Sequence, residues 1–223
     1  MTQAWYWRDG SLRCRLLDRW EHHFLTRDQS PPRDALYAKQ IHGSRCIYGA
    51  TDQEADGLWL RGDDHRSVWV CSADCVPILI ADRATGAVAA VHSGWRGTAA
   101  AIGKVMVTTL LNQGCRPANL IIALGPAISG EMYQVGIDVA DRVLQTLETP
   151  VGVLADDVPG HCRLDLRLVQ QQQFLEMGIP AENIQIAPYC TFRSADLFYS
   201  YRRSRQENDR DSLGKVQWSG IRA

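Results

Sequence analysis

The chain has 223 residues, 45% hydrophobic and 22% charged, and its 24 basic residues nearly balance 25 acidic ones for a formal charge of -1. That length suits one globular domain spanning residues 1–223 around one buried core. The balanced charge excludes the broad basic footprint that nucleic acid or an anionic membrane surface selects, so the expected partner is a small molecule or a protein.

The stretch from Met1 to Asp9 has neither a basic start nor an apolar export segment. The longest apolar runs, Val76 to Ala81 and Leu120 to Leu124, are strand-sized rather than membrane-spanning. A cytoplasmic location is therefore expected, as a monomer or homodimer. Seven cysteines, Cys14, Cys46, Cys71, Cys75, Cys115, Cys162 and Cys190, are an odd number in a long unexported chain and read as reduced thiols, most of them buried as small hydrophobes.

Asp9-Gly10 lies between two alternating segments and predicts a β-hairpin at the start of the chain. The run from Asp28 to Asp34 carries turn chemistry and predicts a loop. Val68 to Cys71 reads as a strand, Ser72 to Cys75 as a break, Val76 to Ala81 as a second strand, Asp82 to Gly86 as a turn and Ala87 to His92 as the returning strand. Ala99 to Asn112 predicts one helix, capped by Thr98 and stopped by Gly114. Leu120 to Leu124 reads as a buried strand. Helices are expected at Val139 to Leu147 and at Leu166 to Met177, the latter capped by Asp165 and ended by Gly178 and Pro180. Asn183 to Ala187, Leu197 to Arg202 and Val216 to Ile221 complete the β content. Strands and helices mix without regular βαβ alternation, which predicts an α+β domain with a largely antiparallel sheet core flanked by helices.

The hairpin containing Cys75 and His92 carries the first chemical signal. A turn centred on Arg83 and Ala84 pairs residues whose numbers add to about 167, so Cys75 and His92 should face each other with Cβ atoms about 4.5–5.5 Å apart. A thiolate and an imidazole at that separation admit shared ligation of a metal or a nucleophile–base pair. They also admit a structural thiol beside a hydrogen-bonded histidine.

Four segments extend this signal: Lys39-Gln-Ile-His-Gly43, Ser72-Ala-Asp-Cys-Val-Pro77, Val91-His-Ser-Gly-Trp-Arg-Gly97 and Leu124-Gly-Pro-Ala-Ile128. With Phe24 to Arg27, Met132 to Gly136 and Leu197 to Arg203 in order around them, the chain resembles the laccase-domain family, which takes in peptidoglycan editing factors and purine nucleoside phosphorylases. The resemblance implies a zinc site made by His42, Cys75 and His92. Three protein ligands leave a fourth position open, as in catalytic zinc sites, where bound water can reach a pKa of about 7. The chain departs from the family pattern in three places. Only eleven residues separate Arg27 from Lys39, Thr191-Phe-Arg follows Cys190, and Gly214-Lys215 replaces Gly-Arg.

Arg27, Arg96 and Arg203 are candidate guanidinium forks for phosphate, each weighed against a solvated surface charge. Asp74 could orient His92, shuttle a proton or cap its turn. Gln134 is a candidate base-recognition amide. Trp95 reads as a packing anchor, and His22, His23, His65 and His161 match no motif.

The resemblance implies phosphorolysis of adenosine, inosine and methylthioadenosine, together with adenosine deamination, using zinc and inorganic phosphate. An alternative is an amide hydrolase editing peptidoglycan precursors, through zinc or a Cys75–His92 dyad. A multicopper phenol oxidase needs more imidazoles than six scattered histidines provide, although copper could occupy the same site. A closed, purely structural zinc site would need a fourth ligand, for which Cys46 and His65 are the nearest candidates.

Overall fold

In the computed structural model, which describes residues 3–223, the strands are β1 (Trp5–Arg8), β2 (Ser11–Cys14), β3 (His22–Leu25), β4 (Cys46–Tyr48), β5 (Gly57–Leu60), β6 (Ser67–Ser72), β7 (Val76–Asp82), β8 (Val88–Ser93), β9 (Leu120–Leu124), β10 (Gln134–Gly136), β11 (Val153–Leu154), β12 (His161–Leu164), β13 (Ile184–Ile186) and β14 (Gln217–Arg222). The helices are α1 (Trp95–Ala99), α2 (Ile102–Leu111), α3 (Ile137–Leu144), α4 (Leu166–Glu176) and α5 (Tyr201–Gln206). None of the described helices is long and apolar enough to cross a membrane.

The strands form three sheets, ordered β1-β2-β3-β14-β6, β13-β9-β7-β8-β5-β4 and β10-β12-β11. Pairing is antiparallel except for β4 with β5 and β13 with β9. The mixed, mainly antiparallel α+β architecture therefore agrees with the sequence reading. Strand alternation explains the layering. Ile78 and Ile80 of β7, Ala89 and Val91 of β8, and Ile122 and Leu124 of β9 face a core shared with α2, α3 and α4. Leu79, Ala81, Val88, Ala90, Ile121 and Ala123 face a second core against the five-stranded sheet. The inner strands of the six-stranded sheet, β9, β7, β8 and β5, are buried on both faces, which is why β7 and β9 read as continuous apolar runs.

Asp9 (φ 51°) and Gly10 (φ 74°) both take the left-handed conformation of the predicted hairpin turn. Asp165 caps α4 by accepting from the Arg167 N–H, as expected. Three expectations are corrected. The single helix over 99–112 is two, because Ala101 sits at φ 51° between α1 and α2, and Gly94 rather than Thr98 is the N-cap. The Thr98 hydroxyl instead bonds to the Gly94 carbonyl and Ser93. The strand expected over Leu197 to Arg202 is irregular chain leading into α5, whose cap is the Ser200 hydroxyl.

The third correction concerns register. His92 pairs with Pro77 and Ser93 with Val76. The turn is shifted because the Asp82 carboxylate accepts from the N–H groups of Ala84 and Thr85 and from the Thr85 hydroxyl, while Asp82 N–H pairs with the Ala87 carbonyl. Thr85 and Gly86 are thus drawn into the loop, and the ladder moves by two from the expected pairing.

Candidate metal centre

The shifted register leaves Cys75 just before β7, near Gly94 rather than opposite His92. A Cβ on Gly94 would stand 2.6 Å from the Cys75 sulfur, so this crossing admits only glycine. His92 is the penultimate residue of β8, whose every residue is buried, and is itself 3% exposed. His42 arrives from the loop between Lys39 and Cys46, in the left-handed conformation at φ 58°.

One carboxylate arranges that loop. Asp56, fully buried, accepts the backbone N–H groups of Ile41 (3.2 Å), His42 (2.9 Å) and Gly43 (2.8 Å), and also the Nδ1–H of His92 at 2.9 Å. Its backbone carbonyl accepts the His92 N–H. Burial works against its charge, but the bonds from His92 and Gly43 outweigh it and hold the carboxyl below its usual range. A charged Asp56 fixes the His92 proton on Nδ1 and leaves Nε2 free as a ligand atom.

The ligand atoms of His42, Cys75 and His92 all lie within 4.8 Å of one another, and the two imidazoles stand 4.8 Å apart at 89°. Burial opposes ionisation of Cys75, yet hydrogen bonds from His42 and His92 bring its thiol down to about 7. Burial likewise opposes the charge on His92, but Asp56 and Cys75 together raise it to about 9. Between those two values, without metal, the pair is a thiolate beside an imidazolium. Two nitrogens and a sulfur converging on one point, with one imidazole anchored from behind, fit a borderline-soft metal ion. Neither Cys46 nor His65 joins the cluster.

The cluster opens on the His42 side into a pocket of about 620 Å³, walled also by Gln40, Arg96, Tyr201 and Lys215. Gln40 holds this wall by exchanging two 2.8 Å bonds with the backbone of Cys71. A second cavity of about 660 Å³ lies by Ser129, Cys190 and Arg193. It holds none of the three clustered ligands, and its arginines are already paired, Arg167 with Asp165 and Arg193 with Glu131. The three clustered ligands line only the smaller of these two pockets.

Of the other candidates, the structure brings only Arg96 to this pocket, with its guanidinium 4.4 Å over the Trp95 ring. Asp74 does not meet His92. Its oxygens take the Thr191 hydroxyl (2.6 Å) and the Arg202 N–H (2.7 Å), so it ties the Cys75 turn to α5 while Asp56 orients the imidazole. Arg27 lies over Tyr199 and donates to the Ala195 carbonyl. Gln134 gives its amide to Asp156. Arg203 is buried, donating to the carbonyls of Thr191, Phe192 and Phe198. Asp56 was missed by the sequence reading, while Tyr201 and Lys215 were named there only as parts of motif segments and given no role at the site.

Residues 21–215 match the family described as multi-copper polyphenol oxidoreductase laccase. The chain is 38% identical to the purine nucleoside phosphorylase slr1573 of Synechocystis sp., covering 97% of this chain and 96% of that protein. It is 32% identical to the adenosine deaminase RL5 of an unknown prokaryotic organism, over 61% of this chain and 52% of that protein. The crystal structure of YlmD from Geobacillus stearothermophilus superposes with a TM-score of 0.87 over 98% of both chains at 24% identity, a likeness of fold. The protein belongs to this laccase-like family.

Proposed function

We propose that the protein is a zinc-dependent purine nucleoside enzyme, acting on adenosine, inosine and methylthioadenosine with inorganic phosphate and deaminating adenosine. The observation that carries this reading is a three-ligand cluster anchored by Asp56 in the same pocket as two cationic side chains, Arg96 and Lys215. Zinc bound there would supply Lewis acidity and leave one position for a ligand from outside the chain.

The remaining work falls to the chain. Arg96 and Lys215 would hold phosphate, whose oxygen attacks C1′ as the bond to N9 breaks, releasing the base and ribose 1-phosphate. Arg96 takes this part in place of Arg27, which is engaged elsewhere. Deamination would instead add water at C6 and release ammonia. The relatives named purine nucleoside phosphorylase and adenosine deaminase support this pairing of reactions.

A second reading rests on the thiol brought to about 7 beside a protonated His92. That pair could attack an amide carbonyl, as in the editing of a peptidoglycan precursor, with Cys75 as nucleophile. Phenol oxidation by several coppers fits less well, since the described residues contain one three-ligand cluster.

The reaction is tested by incubating zinc-loaded protein with adenosine and phosphate and resolving the products. Adenine with ribose 1-phosphate, or inosine, is expected. Neither product, with amide cleavage sensitive to thiol alkylation in metal-free protein, would move the assignment to the second reading.

A further inference from the structure

Tyr201 is the one aromatic side chain lining the metal pocket among the described residues, and it is 55% exposed. Its backbone is held on both sides. The Ser200 hydroxyl accepts from the Arg203 N–H at 3.2 Å, and the Ser200 carbonyl accepts the N–H and hydroxyl of Ser204. The next peptide, Arg202 N–H, donates to Asp74 at 2.7 Å, and Asp74 immediately precedes the ligand Cys75. The ring itself has no hydrogen bond or aromatic neighbour among the described residues. The segment is therefore registered to the metal ligands while the ring face stays free.

We infer that Tyr201 is the platform on which the purine base stacks, and so a determinant of purine over pyrimidine selection; this rests on the nucleoside reading above. A flat ring on a fixed backbone orders little on binding, and it offers a π face that matches the larger two-ring base best. The cationic pair serves the other end of the substrate, since Arg96 and Lys215 share the pocket with the ring. Loss of one base–aromatic stack costs about 1–3 kcal/mol, which is roughly a 5–150-fold loss in nucleoside binding.

The experiment compares wild type with Tyr201→Ala and Tyr201→Phe, all zinc-loaded, for adenosine binding and turnover, KM for phosphate, and adenosine-over-cytidine preference. Because the side chain is exposed, neither substitution should disturb folding. The expected result is a KM for adenosine raised within that range in the alanine variant, with a matching fall in purine preference. Zinc content and KM for phosphate should stay at wild type, and phenylalanine should restore binding. An alanine variant that binds adenosine as wild type does would overturn the platform while leaving the nucleoside reading intact. So would a rise in KM for phosphate as large as that for adenosine, or failure of phenylalanine to rescue. Wild-type protein that neither binds nor converts adenosine would overturn both.

Discussion

The Asp56 carboxylate lies 2.9 Å from His92 Nδ1 and, through its other hydrogen bonds, closes the backbone of residues 41–43 into the turn that presents His42. One buried side chain thus orients the His92 imidazole and fixes the backbone that carries His42. Outer partners of this kind hold a ligand's tautomer and orientation, and so tune metal affinity.

Asp56→Asn keeps the volume but removes the charge that fixes the His92 proton. Zinc affinity, measured by competition with a chelator of known strength, should fall on the order of 10–100-fold. An unchanged affinity would mean that the loop is held by other contacts.

Gly94→Ala places a methyl group 2.6 Å from the Cys75 sulfur with no strain in φ, which is -80°. Zinc binding should be lost while the circular dichroism spectrum is retained. A variant that still binds zinc like wild type would show that the Cys75 turn can yield.

Metal must displace the proton that His92 carries up to about pH 9 and, below about pH 7, the Cys75 proton as well. Zinc affinity should therefore weaken as pH falls. Calorimetry in buffers of different ionisation enthalpy should detect about one proton released near pH 8 and more below pH 7. No release at pH 8 would contradict the thiolate–imidazolium pairing.

His22 gives a separate pH effect on stability. Buried at 1% exposure, it donates from Nδ1 to the Trp20 carbonyl and accepts the Cys14 N–H on Nε2 at 2.9 Å. Burial lowers its pKa from 6.5 to about 4. Between those values the unfolded chain binds the proton more strongly, so His22 withdraws up to about 3 kcal/mol of stability as pH falls from 6.5 toward 4, and nothing above 6.5. Thermal unfolding of wild type and His22→Gln should show the steeper loss only in wild type, and parallel curves would contradict it.

Local chemistry made part of the fold readable. Asp9-Gly10 permits few conformations other than its turn, and Asp165 has the neighbours a helix cap requires. Ala101 offers no such sign, because nothing about alanine announces a left-handed break between α1 and α2. The hairpin register was missed for a related reason: the reach of the Asp82 carboxylate to Thr85 depends on side-chain geometry that strand counting ignores. At the site, the hairpin singled out Cys75 and His92 as a thiol and an imidazole near each other but left metal, nucleophile and structural readings open and put their pairing off by two residues; the three-ligand set with His42 entered only through the family resemblance. Asp56 makes its contacts 13 to 36 positions away in the chain, and no local pattern encodes them. Asp74 looked like the partner of His92 because it adjoins Cys75, yet its left-handed backbone, φ 86°, turns the side chain toward Thr191 and α5.

The most direct test of the proposed zinc enzyme is the metal content of wild type and Cys75→Ala by plasma mass spectrometry, with adenosine-plus-phosphate turnover measured on the same samples. The account predicts about one zinc per chain with activity in wild type, both lost in the variant. Turnover that survives loss of the metal would contradict it.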